Sequence, residues 1–193
     1  MTTILTILTD GFADWETGLL NGVARSFYGA STVYASPGGR PVTSAGGMKV
    51  APDTAIEKID LDALDALVVC GGTAWQGPGA PDLTKVFRTA RENGKVIGAI
   101  CDGTVAAART GILDDVRHTS NGLGYLDGTG YKGARLYQDV MHAVTGDKVV
   151  TASATAPVSF MAEVMRALGL ADANLDFFLE MHAAQYRPRA DAA

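Results

Sequence analysis

Apolar residues fall along this chain in two kinds of block: short, nearly unbroken runs, and longer stretches in which they recur every three or four positions. The first kind suits a strand buried on both faces of a parallel sheet, the second a helix with one side against that sheet. Thr3 to Thr9 is a run of the first kind. A helical pattern follows from about Trp15 to Tyr28, with Trp15, Leu19, Leu20, Val23 and Phe27 on its apolar side and Asp14 placed to cap its start. Ser31 to Ser36 reads as a second strand stopped by Pro37-Gly38-Gly39, and Pro41 to Ser44 with Met48 to Ala51 as a small peripheral hairpin.

The alternation continues. Leu67 to Cys70 is a strand ending at Gly71-Gly72, about Asp82 to Asn93 a helix, Lys95 to Ile100 a strand, and Gly103 to Thr110 a short Ala-rich helix. Val116 to Thr119, Leu136 to Val140 and Lys148 to Thr151 are candidate short strands, with a Gly/Tyr-rich loop at Asn121 to Lys132. Ser153 to Leu168 is a helix carrying Val158, Met161, Val164, Met165 and Leu168 on one side, Ala171 to Tyr186 a terminal helix, and 188–193 a frayed tail. Strands alternating with helices imply right-handed crossovers and a doubly wound, mostly parallel α/β sheet sandwiched by helices, one domain over residues 1–187. In such sheets ligands bind at the carboxyl ends of the strands.

Composition narrows the function. Hydrophobic residues make up 47% and charged residues 19% of 193, which excludes intrinsic disorder. A formal net charge of −5 with no basic block argues against nucleic acid as a partner. No apolar run approaches the ~20 residues needed to cross a bilayer, and the N-terminus lacks the positive region of an export signal. Cys70 and Cys101 are therefore expected as reduced thiols in a cytoplasmic protein.

The chemistry concentrates at Val96 to Gly103, where an apolar strand meets Cys101 and then Gly103 opening a helix. This is a cysteine version of the nucleophile elbow: a strained turn that demands small residues two positions before and after, here Ala99 and Gly103. The helix N-terminus behind it leads one to expect a depressed thiol pKa at Cys101. Cys70 has no such helix close behind it and reads as a small buried hydrophobe. Gly71-Gly72 either offers free N–H groups that face an oxyanion formed at Cys101, together with the amide of Asp102, or is an ordinary strand-ending turn. Glu16, in the first turn of its helix, either complements the helix dipole or points into the crevice. Of His118, His142 and His182, only His118 lies where the topology can carry it toward Cys101, the other reading being a structural histidine. No metal-ligand spacing occurs, so neither a metal nor a cofactor is expected.

In their order and spacing, Gly11 to Glu16, Val68-Val69-Cys70-Gly71-Gly72, Gly98 to Gly103 and the segment from Thr151 to Gly169 resemble the ThiJ/PfpI superfamily of class I glutamine-amidotransferase-like proteins. The resemblance implies that Cys101 is the nucleophile, that Glu16 hydrogen-bonds it, that Gly72 and Asp102 supply the oxyanion hole and that His118 lies near the cysteine. It also implies a homodimer. Peptidase-like members carry histidine directly after the cysteine; Asp102 stands there instead, which argues against proteolysis. The expectation is a cofactor-independent cysteine enzyme acting on a small electrophile, of glyoxalase or deglycase type. An amidase or isocyanide-hydratase-like hydrolase is one alternative, and a non-enzymatic redox sensor of stress response oxidised at Cys101 is the other.

Overall fold

The computed structural model describes residues 1–187; the expected frayed tail at 188–193 lies outside them. The elements run β1 (Thr3–Ile7), α1 (Asp14–Tyr28), β2 (Ser31–Ser36), β3 (Val42–Thr43), β4 (Lys49–Val50), β5 (Thr54–Ala55), β6 (Ala66–Val69), α2 (Thr84–Glu92), β7 (Val96–Ile100), α3 (Gly103–Arg109), β8 (Val144–Gly146), β9 (Val149–Ala152), α4 (Pro157–Ala167) and α5 (Ala173–Ala184). Seven strands form one sheet in the order β5-β2-β1-β6-β7-β9-β8, parallel except for β8, while β3 and β4 form a separate antiparallel pair.

The unbroken apolar runs follow from this arrangement. Alternate residues of one strand feed two cores. Leu5, Ile7, Leu67, Val69, Ile97 and Ala99 pack on Phe87 of α2 and on Val105 to Ala108 of α3. Ile4, Ala66, Val68, Val96, Ile100 and Val150 pack on Leu20 and Val23 of α1 and on Phe160, Met161 and Met165 of α4. Each large apolar side chain so buried contributes about 1.5–3 kcal/mol before entropy is charged against it.

The strand order reverses beside β1, since the chain passes from β1 outward to β2 and β5 and then returns to β6 on the other flank. The loops after β1 and β6 flank that switch point, where the two halves of a doubly wound sheet splay apart. The loop after β7 carries Cys101 and adjoins them.

Several local expectations change. Asp14 does not cap α1: the cap position is Ala13, without a side-chain bond, and the Asp14 carboxylate instead accepts from Ser44 Oγ at 2.5 Å, clasping the small hairpin. The inward face of α1 is also rotated from the apolar stripe. Trp15 and Phe27 are exposed, whereas Glu16, Thr17, Leu20, Asn21, Val23 and Ala24 are buried. Polar residues tolerate that face because they find partners there, Asn21 and Thr6 bonding each other at 3.1–3.2 Å beneath the helix. The segments 116–119 and 136–140 meet only at a single bridge, His118 to Tyr137. The sheet is closed on that side by β8, which turns back onto β9 through Asp147 in the left-handed region at φ 56°.

Candidate active site

The β7–α3 turn is a strained elbow. Cys101 has φ 54°, and it is one of only two non-glycine residues with positive φ among those described. A residue of this kind without glycine's freedom costs of order 1–3 kcal/mol, which the surroundings must impose. They do so from two sides: the Cys101 N–H is held by Ala152 O at 2.9 Å, and its carbonyl accepts from Thr104 N at 3.0 Å and Thr104 Oγ1 at 2.6 Å. Gly103 is required by close approach, because a Cβ there would lie 2.6 Å from Val69 O.

Glu16 comes from the first turn of α1 and is completely buried. Its Oε2 accepts from Gly71 N at 2.9 Å, while Oε1 is buried without a hydrogen-bond partner among the described residues. Gly71 lies between Glu16 and Cys101: a Cβ at this position would collide with Glu16 Oε2 and lie 2.7 Å from Cys101 Cβ. The loops after β1, β6 and β7 thus bring Glu16, Gly71 and Cys101 together.

The electrostatics depart from the expectation for Cys101. Burial pushes the Glu16 carboxyl up to about 7, with hydrogen bonds from Cys101 and Gly71 opposing and the Asp102 charge adding to the rise. Burial also pushes the Cys101 thiol up, to about 12; a hydrogen bond from Asn121 opposes this, and the Glu16 and Asp102 carboxylates reinforce it. The resting sulfur is a thiol, and Glu16 is the group of the pair that changes charge near neutral pH.

Asp102 turns its carboxylate sideways. Its Oδ1 accepts from Gln76 Nε2 at 2.7 Å and from the Tyr125 hydroxyl, and Gln76 Nε2 also donates to that hydroxyl at 3.0 Å. The backbone N–H groups of Gly72 and Asp102 have no protein acceptor among the described residues. His118 is not brought to the cysteine. It is fully buried, bonded through Nδ1 to Val116 O at 2.9 Å and flanked edge-on by Tyr131 and Tyr137, with burial lowering its pKa. No hydrogen bond among the described residues joins it to Cys101 or Glu16, so its placement is that of a neutral core histidine.

The neighbour that sequence reasoning missed is Asn121. Its Nδ2 donates to Cys101 Sγ at 3.4 Å, and its Oδ1 accepts from Ala154 N, at the end of β9, at 2.9 Å. It sits at the start of a glycine-rich loop, where an asparagine resembles any turn residue. Cys70, at the end of β6, is fully buried with Sγ donating to Ala13 O at 3.2 Å; burial pushes its thiol up to about 12 as well. Clefts of about 280 Å³ beside Pro78 and Arg109, and about 630 Å³ between Ile56 and Asn93, include neither Cys101 nor Glu16. Among the described residues no group of three His, Cys, Asp or Glu is arranged to hold a metal ion, and no helix is long and apolar enough to cross a membrane.

The chain matches the DJ-1/PfpI family over residues 2–167. Its fold superposes on the DJ-1 superfamily protein Atu0886 from Agrobacterium tumefaciens with a TM-score of 0.94 and 41% identity, covering 97% of this chain and 100% of that one. A Bacillus subtilis (strain 168) protein named Uncharacterized protease YoaZ is 33% identical over 129 residues, 66% of this chain and 61% of that protein's length. The Glutathione-independent glyoxalase DJR-1.2 of Caenorhabditis elegans is 29% identical over 91 residues, 44% of this chain and 46% of that protein.

Proposed function

The chain belongs to the DJ-1/PfpI family, and from that premise we propose that it is a cofactor-independent cysteine enzyme acting on small carbonyl electrophiles, with a glyoxalase-type conversion of α-oxoaldehydes as its reaction. The observation that carries this reading is the pairing of an elbow cysteine with a buried carboxyl poised at about 7. A base is most useful when its pKa lies near the working pH.

Glu16 takes the thiol proton as the Cys101 sulfur adds to the aldehyde carbon, which avoids a free thiolate in a site that disfavours one. The free N–H groups of Gly72 and Asp102 hold the oxygen of the adduct. Glu16 returns that proton to the adduct oxygen and, as a carboxylate again, carries a proton from the former aldehyde carbon to the adjacent carbonyl carbon while the adduct hydroxyl proton passes to the neighbouring oxygen; water then hydrolyses the resulting thioester to the 2-hydroxy acid and Cys101 leaves as the thiol. The balance is one water added per oxoaldehyde. His118 has no part in this sequence, and the charged Asp102 beside the sulfur offers no imidazole for a peptidase-type dyad. The relative named as a glyoxalase supports the choice of substrate class. In the same reading the protein is a cytoplasmic homodimer.

The test is turnover of methylglyoxal to lactate by wild type and by Cys101→Ser. Loss of turnover in a variant that keeps its circular dichroism and melting temperature supports the reading; equal turnover in both removes it. A second reading has one observation in its favour, the buried, unpartnered Oε1 of Glu16, which in protonated form can hold an oxidised Cys101. Selective addition of two oxygens at Cys101 under peroxide, without turnover of any oxoaldehyde, favours that redox-sensing role.

A further inference from the structure

Asn121 is exposed and opens a loop holding Gly122, Gly124, Gly128, Gly130 and Gly133; Ala154 N at 2.9 Å and the Ser120–Thr104 hydroxyl pair at 2.6 Å hold it from the side that precedes the loop, and its contact with the sulfur also depends on how the chain after it is held. Leu126, fully buried, anchors the middle of the loop but lies beyond the residues that face Cys101. On the side of the loop that follows Asn121, the tie is the triangle of Asp102, Tyr125 and Gln76. Its far corner is rigid. Trp75, next to Gln76, is fully buried with Nε1 on Cys70 O at 2.8 Å, and the Arg109 guanidinium of α3 holds the carbonyls of Trp75 and Gln76 at 2.5 and 3.2 Å.

Building on the reading of Cys101 as nucleophile, we propose that Asp102, Tyr125 and Gln76 form a latch that positions Asn121 against the Cys101 sulfur, and that the Asn121 amide steadies the negative charge that sulfur gathers as it attacks. Asn121 is then a catalytic residue, touching the reacting atom, and the three latch members are positioning residues. The arrangement explains why a carboxylate is tolerated directly after the cysteine. Its charge opposes ionisation of the sulfur, but its Oδ1 holds down the loop that favours it.

The groups facing the sulfur that bear on its ionisation are Glu16 from α1, Asp102 from its own turn, Tyr125 from the loop and Cys70 from the end of β6. Burial and Asp102 push the Tyr125 hydroxyl up to about 12, so it stays a donor throughout the neutral range. The latch therefore makes opposite predictions for its two ends. Tyr125→Phe removes the tie and keeps the Asp102 charge. Asp102→Asn removes the charge and keeps the acceptor, because one oxygen receives both bonds.

The experiment is the rate of iodoacetamide alkylation of Cys101, mapped by mass spectrometry, from pH 6 to 11 in wild type, Tyr125→Phe, Asp102→Asn, Asn121→Ala and the Tyr125→Phe/Asn121→Ala double variant. Loss of a hydrogen bond to a charged group is worth roughly one pKa unit, so Asn121→Ala and Tyr125→Phe each slow neutral-pH alkylation about tenfold and move the thiol limb upward. Asp102→Asn moves it downward. In the double variant the Tyr125 change adds nothing, since its effect runs through Asn121. A Tyr125→Phe profile superimposed on wild type, or a Tyr125 effect of equal size with and without Asn121, overturns the latch while leaving the nucleophile in place. A wild-type Cys101 that resists alkylation at every pH overturns the proposed function and the latch together.

Discussion

Cys70 and Cys101 end adjacent strands, β6 and β7, and both thiols are pushed up to about 12 by burial. A glycine lies two residues beyond each, so sequence context separates them by the small Ala99 before Cys101 and the helix after it. The structure separates them by three further things: Cys101 is half-buried where Cys70 is sealed, its backbone is forced to φ 54°, and Asn121 reaches its sulfur, whereas Cys70 Sγ is spent on the Ala13 carbonyl. Glu16 influences both thiols electrostatically. The lesson is that a depressed resting pKa is not what marks the candidate nucleophile. Access to solvent and a proton acceptor poised near neutrality mark it.

The sharpest way to break that contrast is to exchange the sulfurs' roles. Cys101→Ser lowers methylglyoxal turnover by about three orders of magnitude, because a serine hydroxyl is a far weaker nucleophile beside the same base, while Cys70→Ser stays within a few-fold of wild type. Steady-state lactate release from both variants checks this. Next in size is Glu16→Gln, which fits the same space without accepting a proton. Turnover falls about 10²–10³-fold, and the rise in wild-type rate through pH 7, where the Glu16 carboxylate forms, disappears from the profile.

A smaller effect concerns stability. The Glu16 carboxyl is raised from an ordinary value of 4.5 to about 7 on folding. Between those values the unfolded chain has lost the proton that the folded chain keeps, so stability declines as pH rises from about 4.5 to about 7 and then levels off. The decline is on the order of 2–3 kcal/mol. Urea unfolding at pH 4.5 and 7.5 should show the decline in wild type and a flatter dependence in Glu16→Gln; an unchanged slope in the variant assigns it to another group. The smallest expected effect is Cys70→Ala, which loses one packed sulfur and costs about 1 kcal/mol with turnover retained, measured by thermal melting alongside the activity assay.

Much of the architecture was legible because burial on both faces writes itself as unbroken apolar runs. β1, β6, β7 and β9 were readable for this reason, and with them the crevice at their carboxyl ends. What escaped were features whose cause is tertiary. The inner face of α1 carries Glu16, Thr17 and Asn21 because each has a partner beneath it, so hydrophobic periodicity pointed instead to Trp15 and Phe27, which are exposed. β5 is two residues long and exists only through its pairing with β2. Cys101 and Glu16 stood out through the elbow and the family resemblance, but the sign of the thiol's pKa shift did not, since desolvation cannot be read from a helix that follows in sequence. His118 lay on a plausible path to the sulfur, yet its ring is held by Val116 and two tyrosines. Asn121 and the Gln76–Asp102–Tyr125 triangle join three separate loops, and no spacing along the chain announces such a meeting.

The central claim is that Cys101, activated by Glu16, is the reactive thiol of this protein. The measurement that meets it most directly is the rate of iodoacetamide labelling at each cysteine in the folded protein as a function of pH, in wild type and Glu16→Gln. The account predicts that Cys101 labels far faster than Cys70, with a rise near pH 7 that Glu16→Gln abolishes. Labelling of Cys101 no faster than Cys70, or a profile that follows a free thiol near ~8.5 in both proteins, contradicts it.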